Sequence, residues 1–321
     1  MAETPRLRLG TRGSPLALAQ AGEVRARLAA AHADLEPEAA VEIVVIKTTG
    51  DAVQDRTLAE IGGKGLFTKE IEDALLDGRI DAAVHSMKDM ATWLPEGLAI
   101  GAVLPREDPR DALFSSHGDS LAALPKGAVL GTASLRRQAQ VLLARPDVKV
   151  VPLRGNVQTR LRKLAEGEVD ATLLAVAGLK RLGLAERITA VLEPEVMLPA
   201  VAQGAIGVET RADDAEANGF LVALNDPTSA RRVAAERACL EVLDGSCRTP
   251  IAAFAEIADA EPGEDGEAMR LRALVCMPDG SEAHRAERRG SLADAEALGR
   301  EVGAELRAAA GPAFFAALAA S

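Results

Sequence analysis

The feature that most constrains this chain is a junction that recurs along it. Short apolar runs end in a few residues that combine Ser, Thr or Asn with Arg, and a helical pattern opens directly behind them. Leu7 and Leu9 lead through Gly10 into Thr11-Arg12-Gly13-Ser14-Pro15, then into a stretch with Leu16, Ala19, Val24 and Leu28 on one face. Val129-Leu130 leads into Gly131-Thr132-Ala133-Ser134-Leu135-Arg136-Arg137. Val148 to Leu153 leads into Arg154-Gly155-Asn156-Val157, with Arg160 in the first helical turns. Ala171 to Val176 leads into Ala177-Gly178-Leu179-Lys180-Arg181. Ser and Asn cap helix N-termini, and Pro15 fits a first helical position, where its missing N–H costs nothing. Strand and helix in steady alternation dictate an α/β fold with largely parallel sheets and helices on both faces.

A length of 321 residues gives about two domains, with three allowed. Val41 to Ile46 and Ile80 to His85 read as further strands, the second ending in Ser86-Met87-Lys88-Asp89. Gly62-Gly63-Lys64-Gly65 is a loop before a helix from about Phe67 to Leu76. Composition breaks at Leu104-Pro105-Arg106-Glu107-Asp108-Pro109 and again at Leu198-Pro199-Ala200-Val201-Ala202-Gln203-Gly204, two crossings between lobes. Asp77-Gly78-Arg79-Ile80-Asp81-Ala82 and Glu166-Gly167-Glu168-Val169-Asp170-Ala171 echo each other, which predicts two similar α/β lobes. Beyond about Asp226 a helix to Leu243 precedes three antiparallel strands, Ile251–Ile257, Met269–Cys276 and Glu282–Arg289. Pro278-Asp279-Gly280 forms the last hairpin turn, and Ser291 caps a final helix. The predicted division is residues 1–104 with 205–225, then 105–204, then a small α+β domain over 226–321.

Helix N-termini bind anions, and Arg adds a bidentate fork for carboxylate or phosphate. In an open α/β sheet the strand ends converge on one crevice. Several such junctions in one crevice predict a ligand with many separated anionic groups. The competing expectation is that each Arg pairs with an acid, since 48 acidic and 37 basic side chains give a net charge of −11. Recurrence at equivalent places favours the ligand. The negative charge and the 2% aromatic content oppose a nucleic-acid or membrane partner. Lys88 and Asp89 sit side by side at a strand end, and a turn could aim both into the crevice. Asp89 would then be a lone carboxylate among cations, held ionised and able to stabilise a cationic intermediate; the competing expectation is a surface-turn ion pair worth ~0–1 kcal/mol.

Of three Cys, Cys247 lies in Asp244-Gly245-Ser246-Cys247-Arg248-Thr249-Pro250, a turn beside a cation that favours the reactive thiolate. Cys239 lies on a core face with Ala235, Val242 and Leu243, and Cys276 ends a strand without a reactive signature. Cys247 is the one candidate nucleophile or attachment point. Scattered His and the lack of a Cys-x-x-Cys argue against a metal site. No Walker motif and no Gly-x-Gly-x-x-Gly follows a strand. The start lacks a secretory pattern, and no run reaches the ~18 apolar residues of a membrane span, so a cytoplasmic protein with free thiols is expected.

Segments Thr11–Gln20, Gly62–Glu70, His85–Asp89, Arg106–Asp111, Gly131–Gln138, Leu153–Arg160, Leu174–Leu184, Leu198–Gly204 and Gly245–Pro250 together resemble the porphobilinogen deaminase (hydroxymethylbilane synthase) family, collinearly over nearly the whole chain. The resemblance implies two lobes like those of periplasmic binding proteins and a third, cofactor-carrying domain. It implies a dipyrromethane cofactor joined by a thioether to Cys247. It also implies head-to-tail polymerisation of four porphobilinogen molecules, with loss of ammonia at each addition, by a monomer. Each pyrrole bears an acetate and a propionate, and ammonia loss leaves an azafulvenium cation. By resemblance Asp89 is the catalytic carboxylate. Lys88, Ser134, Arg136 and Arg137 hold cofactor carboxylates. Arg12, Ser14, Arg154, Arg160 and Arg181 hold the incoming unit, and Lys64 lies on a loop that flexes over the site. The cofactor loop reads Gly-Ser-Cys-Arg-Thr-Pro where family members often have Gly-Gly-Cys, and the acidic loop around Gly263 looks like an insertion. The alternative is a non-catalytic two-lobed binding protein for a polycarboxylate, which predicts an export signal and no reactive Cys.

Overall fold

The computed structural model describes residues 6–32, 40–49, 68–245, 249–259 and 267–320. They form two compact units, residues 1–107 with 205–230 and residues 108–204 with 231–321. The chain crosses between the units at 107/108 and at 204/205. Lys64 and Cys247 lie outside the described residues, as does the acidic loop around Gly263.

The first unit holds a five-stranded sheet. Its strands are β1 (Leu7–Thr11), β2 (Val41–Val45), β3 (Ala82–Ser86), β4 (Leu98–Val103) and β10 (Ile206–Arg211), in the order β2-β1-β3-β10-β4. The pairings β1·β2 and β1·β3 are parallel, while β10 runs antiparallel to both neighbours. Four strands thus point one way and one is reversed. Helix α1 (Pro15–Ala31) buries Ala21, Val24 and Leu28 against Leu7, Leu9, Val84 and Val208. Helix α2 (Lys69–Leu76) places Ile71, Ala74 and Leu75 against Ile80 and Ala83. Fully covered parallel strands need near-continuous apolar runs, and Ala82 to Val84 supplies one.

The second unit repeats this plan. Strands β5 (Asp111–Ser115), β6 (Val129–Gly131), β7 (Lys149–Val151), β8 (Ala171–Ala175) and β9 (Ala190–Leu192) lie in the order β7-β6-β8-β5-β9. Here β6·β7 and β6·β8 are parallel, and β5 is the reversed strand. In each sheet the reversed strand is the first to form after the chain crosses from one unit to the other. Helices α3 (Leu135–Ala144), α4 (Val157–Ala165) and α5 (Val176–Arg181) follow β6, β7 and β8.

The echoed segments are structurally equivalent. Gly78 and Gly167 follow the C-caps of α2 and α4 with φ of +69° and +77°. Asp81 accepts from the Arg8 N–H (2.8 Å), and Asp170 from the Val129 N–H (2.7 Å). Their own N–H groups donate back to the Arg8 and Val129 carbonyls. Each Asp clamps the strand it precedes to a parallel neighbour, β3 to β1 in the first lobe and β8 to β6 in the second.

The remaining elements are α6 (Ala215–Leu221) in the first unit and α7 (Pro227–Val242). An antiparallel sheet of β11 (Ile251–Ala258), β12 (Ala268–Cys276) and β13 (Ala283–Ser291) follows, with α8 (Ala295–Ala320). Ser291 caps a 3-10 turn that runs into α8, a small departure from the predicted direct cap. The antiparallel sheet belongs to the second unit. Leu198 packs on Ala252, Phe254 and Leu274, and Gln138 of α3 donates to the Pro278 carbonyl at the hairpin turn. The buried Glu236 carboxylate accepts from the Ala202 N–H (2.6 Å) and the Ala255 N–H (2.8 Å). No helix among the described residues is long and apolar enough to cross a membrane.

Gly167 has open space where a Cβ would stand, so a side chain there meets only backbone strain. Gly167→Ala is expected to lower unfolding stability by about 1–2 kcal/mol. Urea denaturation would read this as an earlier midpoint at unchanged slope; an unchanged midpoint would contradict the left-handed turn.

Candidate functional site

In the first unit, Ser14 caps α1 by accepting from the Ala17 N–H (3.3 Å), which leaves its own O–H free to donate elsewhere. Arg12, half-buried, sits two residues ahead of it at the end of β1. At the end of β3, Met87–Asp89 forms a 3-10 turn. Met87 is buried, Lys88 half-buried and Asp89 exposed. The turn is pinned from several sides. The Met87 N–H donates to the Ala205 carbonyl (3.1 Å), and Gln20 of α1 donates to Ser86 Oγ (2.8 Å). Gly207 of β10 makes the space for Met87: a Cβ there would stand 2.0 Å from Met87 Sδ. His85 and Glu209, both buried, pair at 3.0 Å across β3 and β10. Lys88 and Asp89 therefore leave the sheet in a turn, the geometry their adjacency requires.

In the second unit, Ser134 caps α3 by accepting from the Arg137 N–H (3.4 Å), and Asn156 caps α4 by accepting from the Thr159 N–H (2.9 Å). Arg154, half-buried, has no hydrogen-bond or ion-pair partner among the described residues. Arg160 Nε donates to the Gly155 carbonyl (2.8 Å), and Arg181 Nη2 to the Gly204 carbonyl (3.0 Å).

Arg136 and Arg137 are both buried, and Asp111 explains how. Asp111, wholly buried at the start of β5, takes both Nε and Nη2 of Arg137 on Oδ1, at 3.0 and 2.7 Å. Arg137 Nη1 donates to the Leu173 carbonyl (2.9 Å). Arg136 Nη1 stands 2.8 Å from Asp111 Oδ2 but aims its hydrogen bond at the Leu198 carbonyl (2.7 Å). Gln203 Nε2 adds a contact to Asp111 Oδ1 at 3.1 Å. Burial alone would push the Asp111 carboxyl up. The charges of Arg136 and Arg137, together with the hydrogen bonds from Arg137, outweigh it and hold the carboxyl well below the usual carboxylate range. Burial lowers the Arg136 guanidinium, against the attraction of Asp111; guanidinium stays charged regardless.

Two guanidinium groups against one carboxylate leave one positive charge in a dry setting. Arg136 Nε is buried without an acceptor. Buried polar groups ordinarily find partners, and this donor has none among the described residues. A ligand with carboxylates fits that donor set. Among the described thiols, burial pushes Cys239 up to about 12 and Cys276 up to about 11, so both are inert at neutral pH. The residue that sequence reasoning missed is Asp111. Its signals were an acid opening an apolar run and its place at the end of the segment Arg106–Asp111, to which no role was given.

A family model described as porphobilinogen deaminase, dipyromethane cofactor binding domain, matches residues 7–219. A second, described as porphobilinogen deaminase, C-terminal domain, matches residues 230–308. The chain belongs to the porphobilinogen deaminase family. Porphobilinogen deaminase of Paracoccus denitrificans is 58% identical over 309 residues, 96% of each chain. The chloroplastic porphobilinogen deaminase of Oryza sativa is 57% identical over 312 residues, 96% of this chain and 85% of that one. Among solved structures, a putative periplasmic sulfonate-binding protein from Methylobacillus flagellatus covers 76% of this chain and 74% of its own at a TM-score of 0.38 and 16% identity. The chain is thus an enzyme, a transferase of tetrapyrrole biosynthesis, and it contains the domain that binds the dipyrromethane cofactor. The non-catalytic binding protein is not favoured.

The Asp111 carboxyl is depressed in the folded state, so the stability it confers is present above the unfolded pKa of ~3.9 and is lost as pH falls toward the folded value. The stability difference between the wild type and Asp111→Asn is expected to stay constant from pH 8 to about 4 and to shrink only below. Urea titrations across that range test this; a difference already shrinking between pH 7 and 5 would contradict the buried cluster.

Proposed function

We propose that this transferase builds hydroxymethylbilane on a dipyrromethane primer joined by a thioether to Cys247, as a cytoplasmic monomer. The supporting observation is the buried Arg136–Arg137 pair balanced by a single carboxylate, in a chain whose family model is named for that cofactor. The inertness of Cys239 and Cys276 favours Cys247 for the attachment. When bound, the cofactor supplies the pyrrole from which the chain is extended.

The residues divide the work by the charge they meet. Lys88, Ser134 and the Arg136–Arg137 pair form the site for the carboxylates of the cofactor. Arg12, Ser14, Arg154, Arg160 and Arg181 hold the acetate and propionate of the incoming porphobilinogen, and Lys64 belongs to the loop that covers it. Arg154 is suited to this, because its fork is not committed to another described residue. Loss of ammonia from the substrate's aminomethyl carbon leaves a cation. Asp89, exposed on a pinned turn, supplies the opposing negative charge without first having to be oriented.

Two measurements test this reading. Intact mass of the purified protein should exceed the sequence mass by two porphobilinogen units, each less its ammonia. Cys247→Ser should lose that increment and Cys239→Ser should keep it; an active wild type of unmodified mass would refute the attachment. Asp89→Asn should fold and keep the increment but turn over at least ~10²-fold more slowly, since one preorganised charge contact is worth ~2.7–4 kcal/mol. Turnover like that of the wild type would remove Asp89 from the chemistry.

A further inference from the structure

We propose that Asp111 is a positioning residue: its carboxylate fixes the Arg137 fork and leaves Arg136 with the single net positive charge that receives one ligand carboxylate. The inference rests on the reading of Arg136 as a cofactor ligand and goes beyond it by giving the two adjacent arginines different tasks.

Arg137 has spent its donors within the protein. Nε and Nη2 go to Asp111 Oδ1, and Nη1 goes to the Leu173 carbonyl on β8. Its charge is matched at hydrogen-bond distance, so it has little left to offer a ligand. Arg136 is held differently. It touches Asp111 through one ion pair, commits Nη1 to the Leu198 carbonyl, and keeps Nε buried with no acceptor. Asp111 Oδ2, the oxygen facing Arg136, likewise lacks an aligned hydrogen bond. One side of the carboxylate is saturated and the other is not. A buried charge left unmatched is costly, so this arrangement favours an added anion at Arg136 over one at Arg137.

The surroundings keep Asp111 in place. Gln203 Nε2 bonds both Asp111 Oδ1 and the Pro109 carbonyl, and Gln140 Nε2 shares the Leu198 carbonyl with Arg136. Asp111 opens β5 between β8 and β9, so its backbone is fixed by ladders on both sides.

Charge arithmetic supplies a test that simple loss of packing does not mimic. The wild-type cluster carries one net positive charge. Arg137→Leu lets Asp111 neutralise Arg136 and leaves none. Asp111→Asn leaves two, with the Arg137 fork released. The double variant Asp111→Asn/Arg137→Leu returns to one. The readout is the rate at which the full-length chain gains the covalent mass increment when supplied with porphobilinogen, with thermal melting recorded in parallel. Each single variant is expected to slow the gain at least ~10-fold, and the double is expected to load several-fold faster than Arg137→Leu alone. A double variant no faster than Arg137→Leu, or an Asp111→Asn that loads at the wild-type rate, would overturn the proposal. Should Asp111→Asn fail to fold, the comparison of Arg137→Leu with the double decides, and a double that also fails to fold counts against a positioning role. Arg136→Leu separates the two levels. Normal loading in that variant would refute the cofactor reading itself, whatever Asp111 does.

Discussion

The second unit is organised around one buried carboxylate. Asp111 is wholly inaccessible and charged, and it holds two buried arginines that follow one helix cap. Buried ion pairs are seldom the best way to stabilise a core, because desolvation offsets most of the attraction. Here three charges share the interior with an odd one left over. A well-packed apolar cluster of similar volume would hold β5 to α3 at least as well. The proposed anion socket gives that odd charge a use, and Asp111 stands in a strand paired on both sides.

The duplicated sheets explain how such a socket is supplied with parts. Each lobe has three parallel strands, then a reversed strand, then an edge strand, and the reversed strand enters directly after a crossing. In the second lobe that strand brings Asp111 beneath Arg136 and Arg137. In the first it brings Gly207 against Met87 and Glu209 against His85, under the turn that presents Lys88 and Asp89. The same topological slot does the supporting work in both lobes. Strands β3 and β8, which it flanks, run directly into the Met87–Asp89 turn and the Val176–Arg181 helix.

Much of this was legible in the sequence. The junctions at Ser14, Ser134 and Asn156 form the helix caps their residue types demand. The echo between residues 77–82 and 166–171 is a shared turn with a positive-φ Gly and an Asp that clamps two strands. What escaped were β4, β5, β9 and β10. Strands β5 and β10 contain Asp111 and Glu209, charges that interrupt an apolar run and read as surface until a distant partner is known. The competing expectation that arginines pair with acids proved right for Arg137 and half right for Arg136. Sequence spacing offered no means of choosing, because the acid lies 26 positions from Arg137. The C-terminal sheet was read correctly, but its union with the second lobe depends on Leu198 and Glu236, whose partners are remote in sequence.

The central claim concerns which guanidinium remains open, and a high-resolution crystal structure of the cofactor-loaded protein tests it most directly. The account predicts a cofactor carboxylate within hydrogen-bond distance of Arg136, with both Arg137 bonds to Asp111 Oδ1 intact. A cofactor carboxylate bound by Arg137 in place of Asp111, with Arg136 sealed by protein groups alone, would contradict it.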